Sequence, residues 1–90
     1  MIRAKRVSLL PGEKKMIHRS DVPENIVVFA STEHVHIGGP DIDRNAGTAV
    51  PLSPYSGFRI NLQTDSGAEL WAENAHPTNN AVVNVIASEL

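Results

Sequence analysis

Apolar and polar residues alternate with a period of two along much of this chain. The clearest case is GFRINLQ, 57 to 63. Phe58, Ile60 and Leu62 leave one side of an extended backbone, and Arg59, Asn61 and Gln63 leave the other, as in a half-buried strand. A continuous apolar run, NIVVFA at 25 to 30, predicts a strand covered on both faces. AELWAE (68 to 73) and the β-branched AVVNVIA (81 to 87) predict two more strands. The first third supplies strands near 3 to 10 and 13 to 18, and Glu33 to Ile37 supplies another.

The breaks between these segments carry turn chemistry. Leu10-Pro11-Gly12-Glu13 fits a type II turn, with proline second and glycine third, where positive φ is required. SDVPEN (20 to 25), Ser31-Thr32, Thr64-Asp65-Ser66-Gly67 and His76-Pro77-Thr78-Asn79-Asn80 mark further connections. No stretch of ten or more residues repeats apolar positions at helical spacing. Seven or eight short strands with turns every eight to twelve residues predict one all-β domain over 1 to 90, a compact antiparallel β-sandwich or jelly roll.

A chain of 90 residues buries only about 60 to 65% of its unfolded surface and commonly depends on outside help. With no cysteine, that help cannot be a disulfide, which leaves a metal or neighbouring subunits, and subunits are the favoured source. The basic start MIRAKRVSLL is followed by no apolar run of signal-peptide or membrane-span length, so a soluble protein made in the cytoplasm is expected, with no membrane partner. The net charge of -2 hides an asymmetry. Residues 1 to 19 hold Arg3, Lys5, Arg6, Lys14, Lys15 and Arg19 against Glu13 alone, whereas the remainder sets Arg44 and Arg59 against nine acids. Such a separation steers docking. Nucleic-acid binding is disfavoured because the basic segment alternates with Val7, Leu9, Met16 and Ile17 like a pair of strands and carries no aromatic stacking platform.

The segment VHIGGPDIDRNAGTAVPL, 35 to 52, invites a chemical reading. Asp41, Asp43 and Asn45 open like a calcium loop, but glycine falls at the seventh position (Gly47) and Leu52 stands where a bidentate glutamate belongs. His34 and His36 leave the same face of a strand and are weak metal candidates, lacking a third ligand at a telling spacing. No nucleophile elbow surrounds any serine, and Gly38-Gly39 has no following lysine to make a phosphate loop. No enzyme activity, cofactor or metal is expected. Residues 38 to 50 are therefore expected to project as a connection, with Asp41, Asp43 and Arg44 as contact groups. Tyr55 and Trp71 are candidate glycan or interface aromatics.

The order V-H-I-G-G-P-D-I at 35 to 42, then Gly47, V-P-L at 50 to 52, an alternating strand, L-W-A at 70 to 72 and V-x-V-I near the end resembles small β-domain virion proteins of tailed bacteriophages. The similarity covers about residues 26 to 87. Where those proteins usually carry a P-G turn after P-L, this chain has Pro54-Tyr55-Ser56-Gly57. The resemblance implies a structural part of a virion, foremost a capsid decoration (cement) protein that binds the major capsid protein and itself, as a homo-trimer. A tail, baseplate or head-fibre module of the same fold is the alternative. The contact set expected on the basic strand pair 1 to 19 is Arg3, Lys5, Arg6, Lys14 and Lys15. A carbohydrate-binding module and a metal-dependent cupin-like enzyme are the readings from other classes.

Overall fold

A computed structural model describes residues 2–30, 33–43, 45, 47, 49–62 and 67–90. Eight strands run in chain order: β1 (Ile2–Leu9), β2 (Lys14–Ser20), β3 (Glu24–Ala30), β4 (Val35–Gly38), β5 (Ala49–Leu52), β6 (Gly57–Leu62), β7 (Ala68–Asn74) and β8 (Ala81–Glu89). They form two four-stranded sheets, ordered β1-β8-β3-β6 (sheet A) and β2-β7-β4-β5 (sheet B), with every ladder antiparallel. The expected all-β jelly roll is the fold observed.

Consecutive strands alternate between the sheets up to β4, so β1 and β2 are not the hydrogen-bonded pair their alternation suggests. β1 pairs with β8, and β2 with β7. The turn joining them is as predicted: Glu13 N–H donates to the Leu10 carbonyl at 3.0 Å and Gly12 has φ 74°. That turn carries the chain from one sheet to the other, and two further bonds join it to β7, from Gly12 N to the Asn74 carbonyl and from Asn74 N to the Glu13 carbonyl.

The core between the sheets is aliphatic. Leu9, Ile17, Ile26, Val28, Val35, Val83 and Val85 are essentially inaccessible, each contributing about 1.5–3 kcal/mol of burial free energy. No aromatic ring belongs to it: Phe29, Tyr55 and Phe58 are exposed and Trp71 is half-buried. The run NIVVFA departs from expectation here. Ile26, Val28 and Ala30 face the core, but Val27 and Phe29 lie on the outer side of sheet A, which no element among the described residues covers. β5 is the short edge strand that the V-P-L segment makes. Pro51 fits there because an edge leaves one side of the strand without ladder bonds.

Residues 38 to 50 do not project throughout. Ile42 N–H donates to the Gly39 carbonyl at 3.0 Å, closing a turn that leaves Ile42 buried. Of the segment's glycines only Gly47 takes a positive φ, 77°. Arg44, the Ser31-Thr32 break and most of the 64–67 turn lie outside the described residues.

Candidate functional site

Between β1 and β2 the two sheets part, and the slot opens on a polar cluster at one end of the core. Its centre is Glu24, the first residue of β3 and fully buried. Glu24 is in phase with Ile26, Val28 and Ala30, so the same alternation that buries them turns its carboxylate inward. Two strands, β1 and β2, supply donors. Ser20 Oγ donates to Oε1 at 2.6 Å, His18 Nε2 lies 2.9 Å from Oε1, and Arg3 Nη2 donates to Oε2 at 2.9 Å. Because a carboxylate only accepts, the His18 bond places a proton on Nε2.

A β-bulge brings His18 inward. Met16 pairs with Trp71 and His18 with Leu70, so Ile17 is the extra residue, and Ile17 and His18 are both buried. Without the bulge, His18 shares the outward phase of Met16. Burial alone would push the Glu24 carboxyl up, but hydrogen bonds from Ser20, His18 and Arg3 outweigh it and lower the value from 4.5 to about 2. Arg3, Lys5 and His18 surround a cavity of about 110 Å³ floored by Val85 and Ala87. That is below the roughly 300–1,000 Å³ of ordinary ligand sites.

The five basic residues expected to make one contact strip are spread over several surfaces. Register on β8 turns Arg3 and Lys5 toward the slot and Arg6 to the outer face of sheet A, where its Nε donates to Asn84 Oδ1 at 3.4 Å. Lys14 pairs with Glu73 and is exposed. Lys15 Nζ donates to the Ser8 carbonyl at 2.9 Å, bridging the edges of the two sheets. This distribution follows from β1 and β2 lying in different sheets and from side chains alternating along each.

The histidine pair is divided. His36 is in β4, opposite Glu73 and Pro51, and its buried Nδ1 has no hydrogen-bond partner among the described residues. His34 precedes the strand and is exposed, bordering a hollow of about 180 Å³ with Glu33, Ala75, His76 and Pro77. His76 Nδ1 there accepts from Thr78 N and Asn79 N at 3.1 and 2.9 Å. No group of three metal-ligating side chains occurs among the described residues. Asp43 Oδ1 accepts from Asn45 N at 2.9 Å, the local turn bond expected of an aspartate in such a loop. Asp41 is exposed.

The two candidate aromatics do not share a sheet face. Trp71 lies on the outer side of sheet B and donates from Nε1 to Glu69 Oε1 at 2.9 Å. Tyr55 caps the β5–β6 connection, 79% exposed, with φ 61°. Its neighbours Ser53 and Ser56 close a turn, Ser56 N to Ser53 O at 3.1 Å.

No family model matches the sequence, and no curated protein does. Solved structures do. A de novo designed double-stranded β-helix superposes with a TM-score of 0.74 at 16% identity, over 96% of this chain and 99% of the design. A sugar phosphate isomerase from a cupin superfamily, from Silicibacter pomeroyi, gives 0.66 at 13% identity over 99% of this chain and 51% of its own. An oxalate oxidase in complex with the substrate analogue glycolate gives 0.67 at 14% over 98% and 42%. The chain thus spans about half the length of these two enzymes, and at such identities the likeness defines the fold alone. That fold is the double-stranded β-helix, here reduced to its eight strands.

Proposed function

We infer that this chain is a structural module of a tailed-phage virion, a decoration protein that docks on the outside of the head and stabilises it. The observation that carries the reading is the placement of the aromatics. A domain whose two phenylalanines and one tyrosine are exposed, around a core built only of aliphatics, keeps its strongest contact residues for a partner. Two further features support it. The order of motifs over about residues 26 to 87 resembles that of small virion β-domains, and Tyr55, which takes a positive φ, stands where those proteins usually carry a P-G turn.

The interior argues in the same direction. Glu24, the one carboxylate that the described residues place at the slot, is occupied by Ser20, His18 and Arg3, so it is not poised to exchange a proton with a substrate. Mass spectrometry of purified particles tests the reading. The chain is expected in many copies per head. Its absence from particles while it accumulates in infected cells would refute a virion role.

A further inference from the structure

The outer face of sheet A is open, apolar and basic. Register aligns Ala4, Ile86, Val27 and Arg59 in one row across the four strands, and Arg6, Asn84, Phe29 and Gly57 in the next. Phe29 and Ile86 are 41% and 42% exposed, and Ile2 beyond them 75%. Phe29 lies against Gly57, where an added Cβ would stand 2.7 Å from its ring, so the ring spreads over the neighbouring strand. A shallow groove of about 330 Å³ runs beside Val27 and Ile86, edged by Arg59, Asn25 and Ser88.

No described position on this face is Asp or Glu, so Arg6 and Arg59 meet no counter-charge among the described residues of the face. The outer face of sheet B differs. It pairs Arg19 with Glu69 at 3.4 Å and seats the Trp71 indole on the same carboxylate.

The missing counter-charge selects the occupant. A two-fold contact with a second copy of this face would set four arginines together with no carboxylate between them, since an isologous interface repeats the same patch. Nucleic acid would meet the two arginines but not the apolar centre. A protein surface with an apolar centre and flanking Asp or Glu satisfies both, because buried aromatic and aliphatic anchors supply affinity and arginine pairs bidentately with carboxylate. The sequence agrees, since a continuous apolar run such as NIVVFA belongs to a strand covered on both sides and the described residues of this chain cover only one.

We propose that the outer face of sheet A is the docking surface for an acidic, apolar-centred protein surface on the virion shell, anchored by Phe29 and Ile86 and registered by Arg6 and Arg59. The proposal rests on the virion reading. It moves the contact away from Arg3, Lys5, Lys14 and Lys15.

The test is rebinding of the purified full chain to particles assembled without it. Ile86→Glu and Arg59→Glu alter exposed side chains, and their melting temperatures check that they fold. Each is expected to weaken rebinding at least tenfold, while Lys14→Glu, on the other sheet, changes it less than twofold. Wild-type-like rebinding by both sheet A variants would overturn the proposal and leave the virion reading standing. Failure of the wild-type chain to rebind would remove the virion reading itself and the proposal with it. A concentration-dependent dimer in sedimentation that Ile86→Glu abolishes would assign the face to a second copy and overturn the proposed occupant.

Discussion

Replacing Glu24 by glutamine isolates the charge of the buried cluster, because the amide keeps the shape and one acceptor oxygen. The carboxyl is lowered from 4.5 to about 2, so the ionised form is favoured in the folded chain by about 3 kcal/mol, at about 1.36 kcal/mol per unit. Glu24 and Ser20 are fully buried and His18 nearly so, so solvent screens mainly the share of this contribution that comes from the half-exposed Arg3. A depressed carboxyl stabilises the fold above its unfolded value and loses that contribution as pH falls through the folded value. The loss therefore runs from about pH 4.5 down to about pH 2. Glu24→Gln should cost about 3 kcal/mol at pH 7, which for a domain of this size lowers the melting temperature by roughly 12–24 °C. The assay is urea and thermal unfolding followed by circular dichroism at pH 7, 4.5 and 2.5. Wild type should approach the variant as the pH falls. A variant within 1 kcal/mol of wild type at pH 7, with parallel pH curves, would refute the assignment of Glu24 as an ionised, hydrogen-bonded centre.

Other outcomes follow from the same structure. Tyr55→Gly relieves an αL conformation that costs a side-chain-bearing residue about 1–2 kcal/mol, offset in part by glycine entropy, and should raise stability by up to about 1 kcal/mol in chemical denaturation. Asn74 is fully buried, its Nδ2 donating to the carbonyls of Leu9, Leu10 and Asn79 and its Oδ1 accepting from His76 N. Asn74→Leu strands those carbonyls and should cost roughly 2–4 kcal/mol, read as a lower urea midpoint with unchanged slope. Arg3→Gln should cost only about 1 kcal/mol, because its side chain is half in water and the pair is screened.

The strand alternation made most of the fold legible. Period-two segments became β1, β2, β6, β7 and β8, and Pro11-Gly12 became the turn between sheets. Sheet membership was hidden, because alternation says which side chains share a face and nothing about which strand lies alongside. That is why the basic segment read as one paired surface and is instead distributed. The polar run SDVPEN predicts a connection and so hides Glu24, although Glu24 stands in phase with Ile26, Val28 and Ala30, which is the signal that could have found it. His18 carries no such signal, because a single extra residue at Ile17 reverses its direction and leaves no mark on the pattern. The positive φ at Tyr55 left no mark in the sequence, because a tyrosine does not announce the left-handed region.

The apolar run NIVVFA predicts cover on both faces, and the described residues of the chain cover only one. That difference joins sequence to function: the second cover is expected from the particle. An electron cryomicroscopy map of intact heads is the most direct measurement. The account predicts eight-stranded density outside the shell with Phe29 and Ile86 facing shell protein and Asp or Glu side chains against Arg6 and Arg59. A map with this chain bound through sheet B, or with no such density on the particle, would contradict it.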